Sequence, residues 1–223
     1  MKRAYLHFDL GDEPEFPFVN EDIAGEFVAY GGKLEPEWII EAYSHGFFPY
    51  YAFRHEGLRW SCPTDRFVIF PEKIHVSHSM RTLMNGGRYQ VSFDKAFEDV
   101  IANCSGLRID DSWAWLGPDI VKAYTDLHER GIAHSVEVWE GDKLVGGLYG
   151  LFLLGAFFGE SMFSLAPSAS KLALIELARR GQSNGWSMID CQYETDHLLT
   201  MGGEHIPYDE YIYKLGWVPV TQK

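Results

Sequence analysis

The chain reads as an α+β protein with a mixed, largely antiparallel sheet, and three observations lead there. Strand-type alternation in His134–Trp139 passes through Glu140-Gly141-Asp142 into two further strands, Lys143–Leu153 and Ala156–Phe163, which turn at Leu154-Gly155. A helix, Ser168–Arg180, and one more strand, Met188–Tyr193, follow. Hairpins, then a helix, then a strand describe an α+β sheet rather than a doubly wound parallel one. Finally, 223 residues with 46% hydrophobic and 15% aromatic side chains suffice for one large or two modest domains with a real core.

The preceding elements fall out in order. The first sixty or so residues read as loop-rich around one helix, which Pro36 opens and Gly46 closes. The aromatic run Phe47-Phe48-Pro49-Tyr50-Tyr51 behind it is either core or a platform for a planar group. At Trp60-Ser61-Cys62-Pro63 the character changes, which sets a domain boundary, 1–63 and 64–223. Beyond it come a strand at Arg66–Phe70, a helix at Ser77–Met84, a strand at Tyr89–Phe93 and a helix at Asp94–Cys104 opened by Asp94. A loop, Gly106–Leu116, carries Trp113 and Trp115. The helix Pro118–Arg130 has Pro at its start and Gly131 past its end, while Ser168 caps and Gly181 stops the later helix.

Composition excludes several classes. Three scattered cysteines (Cys62, Cys104, Cys191) without a CxxC pair argue for a reducing compartment and against structural zinc. The acidic run Phe8–Glu13 does not suit a signal peptide, so the expected location is cytoplasmic. The nearly uncharged Leu144–Gly159 is shorter than the roughly 20 residues of a helical span, so no membrane is expected. The formal charge of −13 disfavours a site built mainly on phosphates and favours cationic ligands. The densest basic run, Arg66 through Arg88, reads as a solvated mixed surface.

The chemistry concentrates in Gly159-Glu160-Ser161-Met162-Phe163 and Ile189-Asp190-Cys191-Gln192, where polar side chains interrupt buried strands. An unpartnered buried carboxylate costs several kcal/mol, so Glu160 and Asp190 mark either a site or a carboxylate paired to amides or an Arg. Strand alternation puts Asp190 and Gln192 on one face and Cys191, an inert small hydrophobe, on the other. No nucleophile elbow, HExxH spacing or phosphate loop is present, so no covalent, metal or cofactor chemistry is indicated. Carboxylates, an amide and aromatics suit an amine attacking an already activated donor, since an α-amino group with a pKa of about 7.7–8.0 is partly neutral.

Gly31-Gly32-Lys33-Leu34, Gly46-Phe47-Phe48-Pro49-Tyr50, Trp60-Ser61-Cys62-Pro63, His134–Trp139, Leu144–Gly150, Phe158–Ser164, Ala169-Ser170-Lys171, Ile189–Gln192, His197 and Ile206-Pro207 together resemble the leucyl/phenylalanyl-tRNA–protein transferases over nearly the whole chain. The resemblance implies a small N-terminal α/β domain followed by a GNAT-like acyltransferase domain. It also implies transfer of Leu, Phe or Met from aminoacyl-tRNA to proteins with N-terminal Arg or Lys, which marks them for N-end-rule degradation. Under it, Gln192 lies beside the attacking amine, Asp190 polarises it and Glu160 helps hold the aminoacyl end. Leu148, Phe157, Met162 and Leu174 line the side-chain pocket, and Tyr50 and Trp115 contact the aminoacyl adenosine or shape the entrance.

The sequence departs from the family pattern at Tyr50 (usually Trp), at Trp113-Ala114-Trp115 (usually Gly-Thr-Trp), at Tyr208 (commonly Arg) and in the weakly basic Ser79–Asn85. These departures touch tRNA contacts more than the reaction centre. Two other readings stand beside the transferase: a non-catalytic binder of basic N-termini, and an acyl-CoA-dependent N-acetyltransferase. The second lacks its glycine-rich loop, since Ala166–Lys171 has no such spacing.

Overall fold

The chain builds two sheets, and only the second follows the hairpin pattern of its sequence. In the computed structural model, which describes residues 4–19, 25–50, 58–106 and 118–217, β1 (Ala4–Asp9) runs parallel to β2 (Gly25–Tyr30). Helix α1 (Pro36–Ser44) follows, and β3 (Phe48–Pro49) and β4 (Arg59–Pro63) complete a four-stranded sheet of order β1-β2-β4-β3. This corrects the loop-rich reading of the first sixty residues. A parallel pair has no tight turn to announce it. Gly46, just past α1, takes φ +82, and a Cβ there would lie 3.1 Å from Tyr211 and 3.3 Å from the Cys62 sulfur. Glycine therefore both turns the chain and lets the C-terminal helix approach.

The second sheet begins with β5 (Asp65–Ile69). After it come α2 (His78–Asn85), β6 (Gln90–Phe93), α3 (Phe97–Gly106), α4 (Pro118–Glu129), β7 (Ala133–Glu140), β8 (Lys143–Leu153) and β9 (Ala156–Ser164). The chain continues through α5 (Ala169–Asn184), β10 (Ile189–Asp190), α6 (Asp196–Thr200), β11 (Glu204–Pro207) and α7 (Tyr208–Lys214). The strand order is β11-β5-β10-β9-β8-β7-β6, antiparallel at each step except β9–β10. This is the mixed, largely antiparallel α+β sheet that the sequence predicts, with its β-β-β-α-β order intact.

Alternation along the strands divides the core. Val136, Val138, Leu148 and Phe157 face Leu172, Leu174 and Ala178 of α5. Tyr149, Leu151, Phe158 and Phe163 face the opposite way, in one cluster with Tyr43 of α1, Val100 of α3 and Tyr124 of α4. That cluster continues to Phe27 and Trp60 of the first sheet. No described helix is long and apolar enough to cross a membrane.

Three helix ends differ from expectation. Asp94 does not open α3. It sits at φ +57, accepting from the Ser135 amide at 2.8 Å and pairing with His134 Nδ1 at 2.9 Å. Ser168, at φ +63, makes no side-chain cap for α5. The same helix runs through Gly181, where a Cβ would lie 2.8 Å from the Trp186 ring, and it ends only at Gly185 (φ +69).

Candidate active site

Two irregularities next to each other open the sheet. Strands β9 and β10 pair only at Phe157↔Ile189 and Phe158↔Asp190. Beyond Asp190 the chain leans to β5, with Cys191 N donating to Phe67 O at 2.9 Å, and Gln192 takes φ +64. The expected strand Met188–Tyr193 is therefore short. Across β9, Tyr149 pairs with Ser161 and Gly150 with Gly159, leaving Glu160 as the extra residue of a β-bulge. A bulge breaks alternation and re-aims a side chain. Gly150 opposite it has no room for a Cβ, which would come 2.0 Å from Phe158 O.

Glu160 points into the helical layer. Its Oε1 accepts from the Tyr43 hydroxyl at 2.5 Å and from Gln192 Nε2 at 3.1 Å, and its Oε2 accepts from the Tyr124 hydroxyl at 2.9 Å. The two tyrosine oxygens are 3.0 Å apart. The side chain is 8% exposed, and burial pushes its carboxyl up to about 7, against the pull of both tyrosine hydrogen bonds. Burial likewise holds both tyrosines well above their ordinary range.

Asp190 has different company. Arg66 Nε donates to Oδ1 at 2.9 Å, and Nη2 to Oδ2 at 2.7 Å. The Tyr211 hydroxyl adds 2.8 Å to Oδ2, and the Gln192 amide 2.8 Å to Oδ1. Both members of this ion pair are fully buried. The Arg66 guanidinium lies 4.7 Å from the Phe48 and Tyr211 ring centres, and its Nη1 donates to Gly46 O at 2.9 Å. Burial alone would lower its pKa, but Asp190 outweighs this and holds it charged. Arg66 is thus no part of a solvated basic surface, because its partner arrives from 124 residues away.

The parting of the strands leaves a cavity of about 460 Å³ lined by Glu160 and Gln192 together with Tyr50, Leu148, Phe157, Met162 and Leu174. Cys191 also lines it, whereas Asp190 does not. The predicted placement of Asp190 with Gln192 on one face is corrected accordingly: the left-handed turn at Gln192 breaks the alternation. Burial pushes the Cys191 thiol up, away from nucleophilic use. Tyr50, 40% exposed, stands at the rim, with Arg59 5.3 Å over its ring. Trp115 and the Trp113-Ala114-Trp115 departure lie outside the described residues. No cluster of metal-ligating side chains occurs among the described residues.

The sequence profile of the family described as leucyl/phenylalanyl-tRNA protein transferase matches residues 68–216, and that of its N-terminal domain matches 32–64. Curated proteins carrying the name leucyl/phenylalanyl-tRNA–protein transferase are similar over most of their length. One from Myxococcus xanthus is 45% identical, covering 91% of this chain and 88% of its own. One from Azotobacter vinelandii is 48% identical, covering 82% and 81%. The chain belongs to the leucyl/phenylalanyl-tRNA protein transferase family. Among solved structures, a conserved protein of unknown function from Bacteroides thetaiotaomicron aligns with TM-score 0.46 at 12% identity, covering 88% of this chain and 67% of that one.

The family's aminoacyl transfer from tRNA to protein needs an activated ester, an amine and a place for one proton, and the cavity supplies polar groups at its wall for the last. Glu160 and Gln192, expected at the site, both line the cavity, whereas Tyr43, Tyr124, Arg66 and Tyr211, which hold the two carboxylates, were not anticipated. A signal existed for the first two. Each tyrosine belongs to a buried stripe on its helix, Trp38-Ile39-Ala42-Tyr43 on α1 and Ile120-Ala123-Tyr124-Leu127 on α4. A buried Tyr where Phe would serve usually has a hydroxyl partner.

Proposed function

We propose that this transferase moves Leu, and also Phe or Met, from aminoacyl-tRNA to the N-terminal Arg or Lys of a protein in the cytoplasm, with Glu160 as the proton acceptor. The observation that carries this reading is the convergence of Glu160 and Gln192 with an apolar lining on one cavity, while Asp190 stays outside it. The apolar wall takes the side chain of the aminoacyl group. Gln192, held on Glu160 through Nε2, orients the attacking amine with its side-chain oxygen, which accepts no hydrogen bond from the described residues. Asp190 acts through Gln192: clamped by Arg66 and Tyr211, it fixes the amide from which the Gln192 side chain departs.

Glu160 accepts the proton that the amine sheds as the new amide forms and returns it to the ribose oxygen as the ester bond breaks, and a carboxyl near pH 7 is matched to both transfers. Its two tyrosines suit both protonation states. With Glu160 ionised both hydroxyls donate to it; with Glu160 protonated, one tyrosine oxygen accepts from it and the Tyr43–Tyr124 contact absorbs the displaced hydrogen. Ser161 Oγ and His197 Nε2 at the cavity wall are buried with no hydrogen-bond partner among the described residues, consistent with a site that completes its bonds on substrate. Glu194 and Asp196 flank Thr195 at the lining and, with the net charge of −13, favour a cationic acceptor. The division into 1–63 and 64–223 is proposed on the change of sheet between β4 and β5.

Mass spectrometry of an Arg-initiated peptide, incubated with the protein and separately with Leu-, Phe- and Met-charged tRNA, tests the reading. Addition of one residue at the N-terminus is expected, and the three rates rank the donors. Peptide binding without addition at low salt would instead support a non-catalytic binder.

A further inference from the structure

A second cavity, of about 200 Å³, shares Phe157 and Leu177 with the aminoacyl cavity and no other lining residue. The C-terminal half of α5 lines it with Leu177, Arg180 and Asn184. Trp186 stacks on Phe157 with ring centres 5.8 Å apart and planes 6° from parallel, and it also meets Phe152 at 4.8 Å. A dry cavity of about 150 Å³ is enough to hold a benzene ring, so this one takes a ring and a few atoms more.

The polar end of the cavity has one charge to spare. Asp94 is engaged by His134 and by the Ser135 amide. Arg180 is exposed, lies 4.5 Å over the Phe93 ring, and has no carboxylate partner among the described residues. Its neighbour Arg179, by contrast, is paired with Glu176 at 2.8 Å. Aromatic walls with an uncommitted guanidinium at the rim are complementary to a flat ring bearing an anion.

We propose that this cavity is a second ligand site, taking a small aromatic carboxylate with its ring against Trp186 and Phe93 and its carboxylate on Arg180, and that occupancy is felt in the aminoacyl cavity through Phe157. The ligand's source is either a simple aromatic acid or a free aromatic amino acid, whose ammonium would meet Asp94. Phe157 walls both cavities and is 1% exposed, so a ring packed on one side restricts how it yields on the other. Only this coupling rests on the transferase reading.

Calorimetry on the intact protein with phenylacetate and with L-phenylalanine tests the site without any transfer assay. Phenylacetate should bind, and Arg180→Gln should weaken it by about ten- to hundredfold, the loss of a charge-assisted hydrogen bond. Tighter binding of L-phenylalanine, lost in Asp94→Asn, would identify the amino acid; equal or weaker binding would identify the simple acid. No binding at millimolar concentration overturns the proposal. So does binding that Arg180→Gln leaves unchanged and Met162→Ala weakens, which would put the probe in the aminoacyl cavity. In transfer assays phenylacetate should alter the Leu-to-Phe ratio of the unmodified protein and not that of Arg180→Gln, whose basal transfer is normal. A ratio unmoved at saturating phenylacetate overturns the coupling, whereas absence of transfer altogether counts against the transferase reading and leaves the calorimetry standing.

Discussion

Glu160 and Asp190 lie on adjoining strands, both buried, and both touch Gln192, yet they are opposite in kind. Asp190 answers a fixed cation and fills its lone pairs with Arg66, Tyr211 and an amide. Glu160 answers only neutral donors and keeps a value near 7. The comparison shows that burial alone does not decide what a carboxylate does. A charged partner makes Asp190 a strut, while burial among neutral hydroxyls pushes the Glu160 carboxyl up toward neutral pH.

The largest effect should come from the strut. Arg66→Met leaves Asp190 buried and uncompensated, and denaturant unfolding should show a loss of about 3–5 kcal/mol. Adding Asp190→Leu should recover much of it; if the double variant is no better than the single, the pair is not the origin of the loss. Next comes Glu160→Gln, which should lower kcat by about 10²- to 10⁴-fold while the protein stays folded, and should remove the rise of rate with pH near 7. An unaltered pH profile would end its assignment as proton acceptor. Its folded-state value exceeds the ordinary 4.5, so folding favours the protonated form. The stability it contributes is complete below 4.5 and is lost as pH rises through about 7, and Glu160→Gln should flatten that slope.

A smaller shift separates the tyrosines from the carboxylate they hold. The Tyr43 hydrogen bond lowers the Glu160 value, so Tyr43→Phe should move the pH midpoint of transfer upward by about one to two units, as expected for a hydrogen bond to a charged group worth about 1.5–3 kcal/mol. The smallest effect belongs to Cys191→Ala. The thiol lines the cavity but is held protonated by burial, so rates should stay within about threefold in single-turnover assays, less than the 1.4 kcal/mol that makes a factor of ten. A large loss would reopen nucleophilic chemistry at that position.

Much of the fold was legible where local rules act alone. The hairpins around Gly141 and Leu154-Gly155, and the Pro118 start of α4, depend on turn and cap chemistry within a few residues. The parallel pair β1–β2 was not legible, because its strands meet without a turn. Of the candidate site, Glu160 and Gln192 were legible because polar groups inside buried strands stand out, and together with the apolar residues that the resemblance named they line one cavity. Arg66 was read as surface because acidic neighbours such as Asp65 make the run look like a mixed solvated face, while its real counter-ion lies 124 residues away. The face of Gln192 was misjudged because one residue at φ +64 undoes the alternation of the short strand before it.

The Arg66 clamp also has a consequence for synthesis. It gathers Gly46, Phe48, Arg66, Asp190 and Tyr211, and Tyr211 trails Asp190 by 21 residues. Arg66 is thus synthesised 124 residues before its counter-ion, and the clamp that holds the Gln192 amide can be completed only once Tyr211 has been made.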